Sequence, residues 1–310
     1  MRSSVFTLSL VFCFLVVGKS LSAQNGDFRW WDELHNWDGF TPWQNYLIIA
    51  PGFLGPNALP VPDVKNGQLL EGATFKFGAE QHLSTGDNTS NLFTEGFIPL
   101  FSDRVGLNLQ WVPFETYRMD IATRNLRRIR DFDGEGTATG DLYLGTYIQL
   151  LHNHAKLPDV VLTINLKTAS GDRLTAGRFT DAPGYFFDLS LGRDYAFQRG
   201  FIQSIRPHLM GGFYVWQRFE SNALQNDSFL YGGGFDLKAE KFTLTNTLAG
   251  YIGYLDDGDK PMVYRLICRS HFQSALNYEF RFQLGLNDFD YTSFRLLGVY
   301  RFGHGHRDEG

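Results

Sequence analysis

The sequence predicts an all-β protein, a transmembrane antiparallel β-barrel of about twelve strands, from three observations. Apolar and polar residues alternate from about residue 72 to the end, in segments that mostly run ten residues or more. Globular strands usually run about five or six residues, whereas a bilayer strand needs about 9–11. Tight turns and longer connections also alternate along the chain, as they do in transmembrane barrels but have no reason to in a soluble sandwich.

The last strand shows the pattern. In "TSFRLLGVYRF" (292–302), Phe294, Leu296, Gly298, Tyr300 and Phe302 share one face, and Arg295, Leu297, Val299 and Arg301 the other. Twelve such segments lie near 72–82, 91–101, 104–117, 138–153, 157–169, 184–197, 204–218, 228–239, 242–255, 261–275, 278–287 and 292–302. "SD" (102–103), "EK" (240–241) and "LN" (276–277) read as tight turns; 83–90, 118–137, 170–183, 219–227 and 256–260 read as longer loops. An even strand count puts both ends of the barrel on the short-turn, periplasmic side, and closure pairs the last strand with the first, because an open edge cannot exist in hydrocarbon. Apolar faces then meet lipid. A mean hydropathy of −0.21 fits, because alternation averages out.

Residues 1–23 read as a secretory signal: Arg2, then the apolar run "VFTLSLVFCFLVV" (5–17), then the small residues of "GKSLSA" (18–23). The run is too short for a membrane anchor, and Cys13 sits inside it rather than at a lipoprotein cleavage boundary. Loss of Arg2 and Lys19 leaves 26 bases against 33 acids, a net charge of −7, which excludes a nucleic-acid partner. Only Cys268 then remains, so no disulfide forms within the chain.

Residues 24–70 form a separate Trp- and Pro-rich segment. Trp30, Trp31, Trp37 and Trp43 are four of the chain's six tryptophans. Asp27 and Gly39 suggest the limits of a helix, and "NYLIIAPGFLGPNALPVP" (45–62) follows it. The segment reads as a plug in the lumen, a cover on the periplasmic mouth or a helix in the interface, where Trp is favoured; an aromatic carbohydrate site and an extra strand at 46–54 are further readings.

The inward faces carry Arg265, Arg269, His271, Arg281, Arg295, Arg301, Lys76 and Lys167, with Glu80, Asp236, Glu240 and Glu279 as their acids. A ring of arginines in a pore favours anions; the same residues, paired with carboxylates, would brace a small barrel. The basic run "RNLRRIRD" (124–131) reads as a plain solvated or short helical outer loop, or as a contact to lipopolysaccharide phosphates.

No metal or cofactor is expected. Asp131, Asp133 and Glu135 resemble a calcium loop whose twelfth position holds Leu142 instead of Glu. Asp256, Asp257 and Asp259 read as a solvated loop, and the pairs His152/His154 and His304/His306 stand alone. Catalysis has little support: Ser270 and His271 are adjacent on a strand and point to opposite faces, which leaves Ser274 as the other serine near that histidine.

The stretches "GTATGDLYLGTYIQLLHNHAKLPDVVLTINLKTASGD" (136–172), "DAPGYFFDLSLGRDY" (181–195) and "GPNALPVP" (55–62) resemble a family of Bacteroidetes-type outer-membrane barrels, mostly uncharacterised. Gly140–Asp141–Leu142, Leu157–Pro158–Asp159 and Lys167 with Gly171–Asp172 also resemble the barrel family named for the meta-pathway of phenol degradation. The second resemblance implies passage of a small solute, and the anionic or aromatic character is read from the lumen. The first brings no activity. Barrels of this kind often end on a terminal Phe; here eight residues, 303–310, follow Phe302. The expectation is a monomeric outer-membrane channel in contact with membrane lipid and lipopolysaccharide, with a closed structural or surface-interaction barrel as the alternative and a barrel-wall lipid hydrolase third.

Overall fold

The computed structural model describes residues 27–100, 104–220 and 222–302; the leader 1–23, the turn 102–103 and the tail with His304 and His306 lie outside these. The described residues form strands β1 (Thr74–Leu83), β2 (Asp87–Pro99), β3 (Val105–Met119), β4 (Glu135–Ala138), β5 (Tyr143–Leu151), β6 (Asp159–Lys167), β7 (Gly184–Gly192), β8 (Tyr195–Ala196), β9 (Ile202–Gln217), β10 (Gln225–Ala239), β11 (Phe242–Ile252), β12 (Met262–Ser270), β13 (Leu276–Asn287) and β14 (Thr292–Arg301). Twelve of them close the antiparallel wall, and the short β4 and β8 pair only with β3 and β9. Closure runs through β1 and β14, from Thr74↔Arg301 to Leu83↔Thr292. Among the described residues, the twelve wall strands are each paired on both sides, so they present no open edge to hydrocarbon.

Outward residues follow the expected alternation. Phe75, Phe77, Leu107, Leu109, Phe280 and Leu296 keep 42–60% of their surface open, as lipid-facing positions should. Strand limits differ from the sequence reading in a few places. Asp87–Ser90 belong to β2, so a tight turn at 84–86 replaces the longer loop expected there, and Gly86 turns it with φ +91°. The connection at 288–291 is short as well, so the alternation of connection lengths is looser than the sequence suggests. Residues 139–142 leave the ladder between β3 and β5: Thr139 and Gly171 donate their N–H groups to Asp172 and Asp141, and Trp111 Nε1 donates to Gly140 O at 3.1 Å.

The N-terminal segment departs most from expectation. It forms helix α1 (Arg29–His35) and 3₁₀ turns at Trp43–Tyr46 and Pro51–Phe53, so there is no strand at 46–54. Asp27 does not cap α1; its carboxylate pairs with Arg29, and the helix ends at Asn36 in the left-handed conformation, three residues before Gly39. The segment lies at the mouth carrying the longest loops, not at the short-turn end: Trp31 Nε1 donates to Arg128 O at 2.9 Å, Gly52 N to Gly258 O at 3.0 Å and Gly55 N to Gly177 O at 2.8 Å. From there the chain descends through the lumen to the opposite end, where Gln68 reaches Asp159, and turns into β1. The tryptophans therefore lie at the long-loop mouth, opposite the short-turn end where the sequence suggests a cover. The reason is topological: β1 starts at the short-turn end, and a segment that fills the lumen before entering it must begin at the other mouth.

Apolar burial follows this path. Leu47, Ile49, Leu54, Leu59 and Val61 of the segment pack against Phe186, Met210, Tyr214, Trp216, Leu230 and Tyr251 of the wall. Glycines mark the close approaches: a Cβ on Gly192 would lie 2.0 Å from Asn66 O. A Cβ on Gly55 would lie 2.5 Å from Arg178 Cζ, and one on Gly232 would lie 2.6 Å from a Val64 methyl.

Leu296, midway along β14 and 60% exposed, tests the lipid-facing assignment. Leu296→Arg should cost about 2–4 kcal/mol in urea unfolding from lipid vesicles, because arginine at the midplane is poorly solvated. A cost near zero would move this face away from hydrocarbon.

Candidate functional site

The lumen is filled, and what fills it is held by hydrogen bonds donated from both the wall and the segment. Starting at the outer mouth, the loop arginines turn inward. Helix α2 (Ile121–Leu126) is capped by Asp120, which accepts from Thr123 N at 2.7 Å. Arg124 stacks over Trp30 at 4.2 Å. Arg130 lies over Phe28 at 3.9 Å and within 5.3–5.8 Å of the rings of Trp31, Trp37 and Trp43. Such a cage is worth roughly 0.5–2 kcal/mol per contact as desolvation grows. Burial lowers the pKa of both arginines from the usual value, but an arginine stays charged. The run at 124–131 is thus largely neither solvated nor free for lipopolysaccharide; of its four arginines only Arg128 is exposed.

Below the mouth sits a buried ionic knot. Arg178, fully buried, donates Nε to Glu115 at 2.7 Å, one amino nitrogen to Asp87 at 2.9 Å and the other to Thr89 at 2.6 Å. Asp87 also accepts from Arg127 and from the Tyr291 hydroxyl, both at 2.6 Å. Asn57 joins the segment to the knot, donating to Glu115 at 2.7 Å and to Asn91 at 3.1 Å. Lys167 is fully buried between Asp141 and Thr180, each at 2.6 Å.

The middle of the lumen brings several expected residues together. Glu80 accepts from Arg281 at 2.8 Å and from Arg295 at 2.6 Å. Arg265 donates to Gln283 at 2.7 Å and to the carbonyls of Val61 and Pro62 at 2.5 and 3.0 Å. Asp63 of the segment lies 3.3 Å from Arg265 and 3.2 Å from Arg281. Across the lumen, Lys65 meets Asp188 at 2.7 Å. Lower down, Arg269 and Lys76 share Glu279 at 2.8 and 3.4 Å, and Lys76 also meets Glu95 at 3.0 Å. Asp236 binds Asn66 and Thr245 at 2.8 and 2.6 Å, and Arg206 binds Asp159 and the Asn66 carbonyl at 2.7 and 2.9 Å.

Three expected residues fall outside this assembly. His271 lies in the turn after β12, bonded to Thr243 at 2.6 Å, while Ser270 bonds Asn277 and Ser274 bonds Leu276 O, so no Ser–His contact is formed there. Arg301 ends β14 at the short-turn rim. Glu240 is exposed in its turn, where a register shift at Lys238/Ala239 breaks the alternation. Several participants escaped the sequence reading. Glu115 had a signal, since it alternates with the outward Phe114. Arg206 had the same signal, alternating with the outward Leu209. Arg178 and Asp63 had none, because only the closed barrel defines what they face.

Between segment and wall remains a cavity of about 90 Å³. Its lining combines Arg265, Arg281 and Arg295 with Phe93, Phe179, Phe186, Phe289 and Tyr147.

No protein-family model and no curated protein matches the sequence. Solved structures do. The COG4313 outer membrane channel from Pseudomonas putida F1 aligns with TM-score 0.57 and 14% identity, over 78% of this chain and all of that one. The KdgM porin aligns with TM-score 0.45 and 10% identity, over 74% of this chain and 99% of that one. At such identity the first likeness is one of fold: a closed twelve-strand barrel resembling outer-membrane channels.

Glu80 is the most exacting test of the lumen network. Glu80→Gln leaves Arg281 and Arg295 short of a buried counter-charge and should cost about 3–5 kcal/mol in urea unfolding. A loss below about 1 kcal/mol would mean that water already solvates that layer.

Proposed function

We propose that the chain is a monomeric outer-membrane channel that rests closed and passes a small solute, anionic or aromatic, when its N-terminal segment moves. One observation carries this reading. Within the lumen, residues 57–69 are bound to the wall by side chains, through Asn57, Asp63, Lys65, Asn66 and Gln68, and by no strand ladder. Bonds of that kind can be exchanged one at a time for water or solute, whereas a ladder opens only as a unit. The resemblance at 136–172 to a solute-passing barrel family, the channel fold and the aromatic and arginine lining of the cavity support the same reading. Self-closure of the wall supports a monomer.

The second reading is a structural or surface-interaction barrel. The pairing of Arg265, Arg269, Arg281 and Arg295 favours it, because paired arginines brace a wall without needing a solute.

A reversible tether separates the two. Asn57 of the segment and Asn91 of β2 touch through their side-chain ends, so cysteines placed there can be joined through disulfide bonds by a short bis-thiosulfonate bridge, which reduction cleaves, once Cys268 is replaced by Ser. In planar bilayers Asn57→Cys/Asn91→Cys/Cys268→Ser should be silent when bridged and show discrete conductance steps when reduced. Equal conductance in both states would remove the segment as the moving part; silence in both would favour the structural barrel.

A further inference from the structure

We infer that the pocket bounded by Arg265, Arg281 and Arg295 is a binding site for a small organic carboxylate, and that Asp63 occupies it as a tethered stand-in. The inference deepens the channel reading and rests on it for its consequence, release of the segment when a carboxylate takes the place of Asp63.

Four observations converge. First, Asp63 belongs to the segment and not to the wall, and a single oxygen, Oδ1, faces both Arg265 and Arg281 at 3.3 and 3.2 Å. Charge-assisted pairs normally close to about 2.7–2.9 Å, and Glu80 lies 2.8 Å from the same Arg281 and 2.6 Å from Arg295. Asp63 is therefore a loosely seated counter-ion, and its side chain keeps 47% of its surface open. Second, the Nε groups of Arg281 and Arg295 are buried and have no hydrogen-bond partner, although these residues are only 6% and 7% exposed. Buried donors without partners are rare and point to an acceptor that is yet to arrive. Third, three guanidinium groups face two carboxylates, Glu80 and Asp63; withdrawing Asp63 leaves a two-charge excess on the wall. Fourth, phenyl faces make up much of the rest of the pocket. Phe93 stacks on Arg295 at 3.7 Å, and Phe179, Phe186 and Phe289 line it beside the polar Asn57, Lys65, His82, Gln110 and Asp141.

This combination selects an anion with a hydrocarbon body. Inorganic anions leave the phenyl faces unused, and neutral apolar molecules leave the arginine donors unmet. Arginine's planar fork also matches carboxylate geometry. At about 90 Å³ the resting cavity has room for a short chain, equivalent to roughly three waters at about 30 Å³ each. A ring-bearing acid enters only as Asp63 and its neighbours withdraw.

Isothermal titration of the folded full-length protein in detergent with sodium butyrate tests the site, with butyramide as the neutral isostere. Asp63→Asn removes the stand-in charge and should bind butyrate at least tenfold more tightly than the parent chain, while butyramide binds neither. Adding Arg281→Gln or, separately, Arg265→Gln to Asp63→Asn should lose at least tenfold; heat-modifiable gel mobility confirms that each barrel is closed, and Arg265→Gln leaves the Glu80 pairs intact if Arg281→Gln does not fold. Equal affinity of the parent chain and Asp63→Asn, or equal binding of butyramide, overturns the inference. Binding is read without conductance. A protein that binds butyrate yet stays silent in bilayers keeps the site and loses the channel reading; one that conducts on reduction of the tether with no Asp63→Asn effect does the reverse.

Discussion

An irregular backbone that runs through a closed barrel must have its polar groups met there, and the rest of this structure answers to that demand. Non-helical backbone is tolerated at membrane depth only where protein or water satisfies it. Pro51, Pro56, Pro60 and Pro62 have no N–H, so this stretch of the segment offers the lumen more acceptors than donors. The wall answers with donors: Trp216 to Ile49 O at 2.9 Å, Tyr251 to Leu59 O at 2.8 Å, Arg265 to Val61 and Pro62, Arg206 to Asn66, and Gln149 to Gly67 O at 2.8 Å. The prolines also keep the stretch out of the sheet, where a missing N–H would break a ladder. Segment and wall are complementary in hydrogen-bonding sense as well as in shape.

That complementarity explains why the inner face is so heavily charged. Arginine presents several donors on one planar group, so it can serve a segment carbonyl and a wall carboxylate together. Arg206 does so with Asn66 and Asp159, and Arg265 joins the carbonyls of Val61 and Pro62 to the wall amide of Gln283. Carboxylates then appear as counter-charges to donors that the segment requires. Nearer the outer mouth the demand changes, and aromatic residues take over: Tyr214, Trp216 and Tyr251 pack edge to face, with centroids 5.2–5.5 Å apart. Each of these large side chains covers apolar segment residues, while Trp216 and Tyr251 spend their single donor on a backbone carbonyl.

The outer mouth follows a third chemistry. Four tryptophans and a run of arginines lie about a hundred residues apart in sequence and meet as cation–π stacks. The arginine run that would suit a phosphate surface is thereby spent on holding the helix at the entrance. Cation–π contact tolerates angular variation better than a bidentate ion pair.

The alternation of residues 72–302 by itself determined the barrel, because a period of two writes the lipid face directly into the chain: Phe294, Leu296 and Tyr300 had no other place to go. It also determined that Glu80, Arg281 and Arg295 point inward. It did not determine that Arg281 and Arg295 meet on Glu80, since β13, β14 and β1 become neighbours only when the first and last strands pair. The course of residues 27–70 was decided by tertiary structure alone. Trp and Pro content marked the segment as distinct, yet a lumen, a rim and an interface all suit tryptophan, and only closure creates the cavity that this backbone fills. Asp63 is the clearest case: an unremarkable acid between two prolines and a lysine, it acquires its meaning from two arginines some two hundred residues away, which a local pattern cannot see because side-chain periodicity reports a face and never a partner.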